Sequence, residues 1–197
     1  WDFFAEHSEE FDLLEGRRDR SSQIFAAGLK LIGDGSVSGR TAWMEEPYRG
    51  TEDDCGFPVC SDELMESAIR FCRENRCQLS MHAMGTRAIA RMVDRACREK
   101  PWAEEGIPSV RIEHVTLPSQ ESLRRAAQHG IAFVTQPIFP YAESASYLVN
   151  LGEERLRKCY PVKTILEHGV TLGFSTDAPA TFWSVPSDPL PGLKLAV

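Results

Sequence analysis

Short apolar runs alternate with longer segments of helical period along most of this chain. That rhythm marks repeated strand–helix units built around a parallel sheet. The strand candidates are residues 24–32 (IFAAGLKLI), 77–83 (CQLSMHA), 110–114 (VRIEH), 131–136 (IAFVTQ) and 170–177 (VTLGFSTD). Helical segments fall between them at 61–75, 86–99, 119–129 and 153–168. Ser61 is a suitable N-cap above an acidic first turn, Gly130 and Gly169 are stop signals, and Pro161 interrupts the last of these helices. Residues 33–60 form a loop longer than ordinary connections, a length that points to an active-site or lid loop. A second long loop follows the fourth strand, and the chain stops as a further helix starts at PLPGLKLAV.

Within the strands, side chains two apart share a face. Gly28 and Lys30, Ser80 and His82, and Gly173, Ser175 and Asp177 each fall together, while Leu29, Leu31, Leu79, Met81, Leu172 and Phe174 take the other face. Bulky apolar residues would then pack on surrounding helices and the small and polar ones look inward. Val110 and Ile112 share the parity of His114 and fit this division less well.

Four polar residues occupy equivalent places: Lys30 in the first strand, His82 and His114 at the ends of the second and third, and Asp177 at the end of the fifth. Their separations correspond to one unit with a long loop, one plain unit and two units, which puts all four on one edge of the sheet. Imidazoles and carboxylates so placed suit a divalent metal that brings the pKa of a bound water towards neutrality. Taken singly, Lys30 reads as a paired or snorkelling lysine, the two histidines as hydrogen-bonded structural residues, and Asp177 as a turn cap before Pro179. Their joint placement favours the metal reading. His7, His129 and His168 have no such context.

Composition narrows the picture further. The 197 residues are 42% hydrophobic and 26% charged, ordinary for a globular domain, and long enough for one sizeable core. A net charge of −7 argues against a nucleic-acid footprint, and no apolar run approaches the length of a membrane span. The six cysteines are too sparse for a disulfide scaffold and read as reduced thiols, which points to the cytoplasm. The acidic start WDFFAEHSEEFD has neither the basic nor the apolar region of a signal peptide. GDGS at 33–36 resembles a phosphate loop only superficially, lacking both the G-x-G-x-x-G pattern and a Walker lysine.

The segments GLKLIGDGSVSGRTA, MHAMGTRAIARMVD, RIEHV, TQPIFPYAE, LGEERLRKCYPVKTILEHGVTLGFSTDAP and DPLPGLKLAV resemble the latter half of the metal-dependent amidohydrolase superfamily, in particular its amidohydrolase 3 group. The resemblance implies an α/β fold, a partial TIM (β/α)8 barrel whose five parallel strands correspond to strands 4–8, with the site at their C-terminal ends. It implies that Lys30, carboxylated, bridges two metals, that His82 and His114 are metal ligands, and that Asp177 binds metal and acts as general base. Zinc is the expected metal, one or two ions. The commoner HAIGDRA of the group reads HAMGTRA here, with Thr86 at the acidic position.

The resemblance also implies a His-x-His pair on the first barrel strand and a small flanking β-domain, neither of which this sequence contains. Residues 1–197 are therefore expected to be a single partial-barrel domain, a fragment of a longer chain, inactive alone. Hydrolysis of a C–N bond in an amide or substituted formamide is the leading activity, on a small-molecule substrate. Deamination on the same barrel, or an inactive scaffold that associates through open barrel edges with the rest of its parent or with itself, are the alternatives. Arg87 and Gln136 are candidate substrate contacts, and Trp43, Tyr48 and Tyr141 could line a pocket or simply pack the loops.

Overall fold

A computed structural model of the chain describes residues 21, 23, 25–178 and 188–196. Its strands are β1 (Gly28–Ile32), β2 (Gln78–Ala83), β3 (Val110–His114), β4 (Ala132–Thr135) and β5 (Leu172–Phe174). They form one parallel sheet in the order β1-β2-β3-β4-β5. Parallel neighbours in strict chain order mean that every crossover advances one strand the same way. That is the winding of a barrel, whereas a doubly wound sheet reverses at a switch point.

The crossovers carry helices α1 (Asp62–Glu74), α2 (Thr86–Ala96), α3 (Gln120–Gln128), α4 (Phe139–Ala142), α5 (Ser144–Leu156) and α6 (Val162–Glu167), with α7 (Leu190–Leu195) following β5. Ser61 caps α1 by accepting from the Leu64 N–H, and Ser119 caps α3 by accepting from that of Ser122. Gly130 ends α3 with φ at +64°, a left-handed turn that costs a glycine little. Among the described residues no helix is long and apolar enough to cross a membrane.

The main core lies between the outer face of the sheet and the first three helices. Leu79, Met81, Ile112 and Phe133 from the strands meet Met65, Ile69, Ile89, Met92 and Leu123 from the helices, all essentially sealed from solvent. A second core roofs the C-terminal strand ends: Val37, Met44 and Tyr48 of the long loop pack with Met84, Leu117, Phe139, Tyr147 and Tyr160. The 33–60 loop is thus a packed lobe.

Several boundaries differ from expectation. Among the described residues of the proposed 24–32 strand, β1 is confined to Gly28–Ile32, and β5 is confined to Leu172–Phe174 within the expected 170–177. The stretch after β4, expected as a loop, is largely helical. Pro140 stands in the first turn of α4, where its missing N–H is no loss, and Tyr147, Asn150 and Leu151 give α5 a buried stripe at helical spacing. Gly152, at φ +78°, kinks α5, so the expected 153–168 helix is split between the end of α5 and α6.

Candidate functional site

Strand register decides which side chains face inward. Lys30 lies level with Ser80, and Ser80 with Arg111; Ile32 lies level with His82, and His82 with Glu113. Lys30, Ser80, His82, Arg111 and Glu113 therefore share the inner face, as expected for the first three. Lys30 is exposed there, while Leu31, Leu79 and Met81 are buried under the helices. Val110 and Ile112 lie level with Leu79 and Met81, in the core on the helix side.

His114 has the parity of Ile112 yet does not stay with it. The backbone turns left-handed at His114 (φ +72°) and Val115 (φ +49°). This reversal brings the His114 ring to His82, edge to face, with centroids 4.3 Å apart. A left-handed β-branched residue is sterically costly, and Val115, fully buried, is held in it by an N–H bond to the Ala83 carbonyl.

Each imidazole is oriented by an acceptor on one nitrogen. His82 Nε2 lies 2.9 Å from the Gly35 carbonyl, so Nε2 carries the proton and Nδ1 is left with its lone pair. His114 Nδ1 lies 2.8 Å from Gln136 Oε1, which leaves Nε2 free. Gln136, itself buried, donates onward to Ser175 Oγ at 2.8 Å. Burial and the neighbouring His82 push the His114 pKa down to about 3, against the pull of Gln136, so the ring is neutral in the range where a ligand must be. Among the described residues the only sealed side-chain polar atom lacking a partner is Ser38 Oγ, so neither free ring nitrogen is closed off.

Asp177 follows β5, also with a left-handed backbone (φ +58°), a region aspartate tolerates. Burial raises its pKa, while the charges of Lys30 and His82 lower it. Among the described residues no group of three or more His, Cys, Asp or Glu is arranged to hold a metal ion; the two histidines form a pair. The donor chemistry of the pair, two imidazoles each with one nitrogen committed to a hydrogen bond and the other not, fits a divalent metal.

The other candidates lie elsewhere or act otherwise. Arg87 is exposed, its guanidinium 6.0 Å from the Trp43 ring and its Nη2 near the Glu45 carbonyl. Tyr48 is buried and donates to the Ala42 carbonyl, so it packs the loop, whereas Tyr141 is exposed. Thr86 Oγ1 accepts from the Glu45 N–H at 2.7 Å, another fastening of that loop. Gly85, at the N-cap of α2, has φ −77°, open to any residue. It is glycine because a Cβ would stand 2.2 Å from the Trp43 carbonyl oxygen.

Two inner residues escaped the sequence reading. Glu113 accepts from Ser80 Oγ at 2.8 Å and from Arg111 Nε at 2.5 Å. Its signal was present, since Arg111 and Glu113 alternate with Val110 and Ile112. Asp34, in the set-aside GDGS, is fully buried beside His82. A carboxylate between glycines just past a strand was the available sign.

The sequence pattern of a family described as the amidohydrolase family matches residues 4–197. The chain is 30% identical over 192 residues to the Bacillus subtilis (strain 168) amidohydrolase YtcJ, covering 97% of this chain and 35% of that protein. Its fold is similar to that of an uncharacterized metal-dependent hydrolase of Pyrococcus horikoshii OT3, with a TM-score of 0.80 and 28% identity over 100% of this chain and 37% of the other. A second, from Pyrococcus furiosus, gives 0.80 and 27% over 99% and 38%. The chain thus spans little more than a third of the length of these relatives, and its sheet is part of a TIM-type barrel.

Proposed function

The chain belongs to the amidohydrolase family, and from that premise we propose that it supplies the inner wall of a metal-dependent hydrolase that cleaves a C–N bond in an amide or substituted formamide. The observation that carries the reading is the His82–His114 pair: two rings with centroids 4.3 Å apart, each with one nitrogen committed and one free. Residues 1–197 are read as one partial-barrel domain of a longer chain, and the activity is proposed for the complete barrel.

In this reading His82 Nδ1 and His114 Nε2 would hold the metal, together with Lys30 if it is carboxylated. Zinc is among the metals that suit imidazole donors. When bound, it supplies Lewis acidity and a water activated near neutral pH. Asp177 would join the ligands and take the proton of the attacking water, for which its carboxylate must be ionised. The proton then passes from Asp177 to the departing amine. Gln136 keeps the His114 ring in place throughout. None of the six cysteines is in a disulfide, which fits a reducing compartment such as the cytoplasm.

The test is zinc-dependent release of amine from N-substituted formamides and simple amides by the complete-barrel protein. Activity that disappears on chelation and falls by at least about a thousandfold in Asp177→Asn is the expected result. Turnover that survives chelation, or an unchanged metal content in the His82→Ala/His114→Ala double variant, would overturn the reading.

A further inference from the structure

We propose that Asp34 is a positioning residue for His82, acting through the grip of the Gly33–Asp34–Gly35 segment on the end of β2. The segment holds His82 from two sides. The Gly33 N–H donates to the His82 carbonyl at 2.9 Å, and the Gly35 carbonyl accepts from the His82 ring at 2.9 Å. Both glycines are forced by space. A Cβ on Gly33 would lie 2.6 Å from the His82 carbonyl oxygen, and one on Gly35 would lie 2.0 Å from Thr41 Oγ1.

Asp34 fixes this segment in place. Its Oδ1 accepts from the Met84 N–H at 3.0 Å, and its Oδ2 from the N–H groups of Gly85 at 2.8 Å and Trp43 at 2.9 Å. Oδ1 is also 3.5 Å from His82 Nε2. One fully buried carboxylate thus ties the start of the long loop, the middle of that loop and the turn just after His82 to a single point. Three N–H donors aimed at two oxygens need an acceptor at both ends of the group. An aspartate supplies this; an asparagine presents an NH2 at one end and opposes at least one N–H.

The consequence concerns the ring. With the Gly35 carbonyl held at Nε2, His82 keeps its proton there and offers Nδ1. Released from Asp34, the loop carbonyl drifts and the ring is free to exchange tautomers. The functional weight of this rests on the reading of His82 as a metal ligand, but the tautomer is a property of the metal-free protein and is measured there.

The experiment is ring 15N NMR of His82 and His114 in the metal-free complete-barrel protein that contains this chain, at about pH 8, above the ordinary histidine range, for the wild type and Asp34→Asn. His82 is expected as Nε2–H in the wild type and as a mixture of tautomers in Asp34→Asn, with His114 remaining Nδ1–H in both. Zinc alone, titrated into the same samples, should bind about 10- to 100-fold more weakly to the variant. A folded Asp34→Asn chain whose His82 remains wholly Nε2–H would overturn the proposal, as would a wild-type His82 found as Nδ1–H. If Asp34→Asn does not fold, amide exchange in the wild type decides: slow, concerted exchange of the Trp43, Met84 and Gly85 amides supports the grip, and fast exchange of any of them refutes it. Absence of zinc binding in wild type and variant alike counts against the metal reading, while the tautomers still judge Asp34.

Discussion

His82 and His114 meet edge to face at 4.3 Å between ring centroids, although they leave their strands on opposite parities, Ala83 and not His82 lying level with His114. His82 points inward by simple alternation. His114 reaches the same place through two successive left-handed residues. The pair is therefore a product of ordinary strand geometry on one side and of a strained strand end on the other.

The strain at that strand end can be read by substitution at Val115. Replacing a buried valine by alanine costs packing, and in an ordinary strand glycine costs about 0.5–1 kcal/mol more. At φ +49° glycine instead relieves the backbone. Val115→Gly is expected to be no less stable than Val115→Ala in urea unfolding, inverting the usual order. A glycine variant clearly less stable than the alanine one would show that the left-handed turn carries no strain.

Gln136 bears on the ring of His114 alone. Gln136→Leu removes the acceptor from Nδ1 and is expected to weaken zinc binding about 10- to 100-fold, with a stability loss of about 1–3 kcal/mol. Gln136→Glu keeps the acceptor and should retain more of the affinity. Calorimetric zinc titration with parallel thermal unfolding separates the two effects, and unchanged affinity in Gln136→Leu would remove its orienting role.

Gly85 and Gly130 separate two reasons for a glycine. Gly85 has an ordinary φ but the Trp43 backbone within 2.2–2.6 Å of where a Cβ would be; Gly130 has φ +64° and nothing within 4 Å. Gly85→Ala should lose at least about 1–3 kcal/mol and shift tryptophan fluorescence as the loop is displaced. Gly130→Ala should lose about 1–2 kcal/mol from backbone strain alone, with the fluorescence unchanged. Equal fluorescence in both variants would contradict the packing explanation.

On the outer helices, Asp94 is held below its ordinary value of 3.8 by hydrogen bonds from Arg125 and Arg98. A depressed carboxylate stabilises the fold above its unfolded pKa, and the contribution fades as pH falls through the lower folded value. The difference in stability between wild type and Asp94→Asn should therefore be present at neutral pH, begin to shrink below about pH 4 and be lost only once the pH is below the folded value. The group is largely solvated, so less than about 1 kcal/mol is involved. Acid titration of the unfolding midpoint checks it, and a difference that grows as pH falls would reverse the sign.

Much of this arrangement was legible in the chain. Five strands at unit spacing, the alternation that turns Lys30 and His82 inward, and the serine caps of α1 and α3 follow from residue type and period. His114 did not, because alternation assumes an extended backbone and nothing in RIEHV announces two left-handed residues. The helical run after β4 was hidden by Pro140 and Gly152, each a breaker by type but placed where a helix starts or kinks. Asp34 was hidden for another reason: its partners are backbone N–H groups, which carry no sequence signature.

The long loop is tied down a second time, by Asn150 of α5, which accepts from Arg40 Nε and donates to the carbonyls of Val37 and Ser38. Asn150 and Arg40 are 110 residues apart in the chain, whereas the Asp34 ties need only the first two strand–helix units. The two fastenings should thus close at different moments of folding. We expect the His82 end of the loop to gain exchange protection as soon as β1 and β2 pair, and the Arg40 end only after α5 has docked. Pulse-labelled exchange would show one loop acquiring order in two steps, with the surroundings of His82 shaped before the lobe above it is shut.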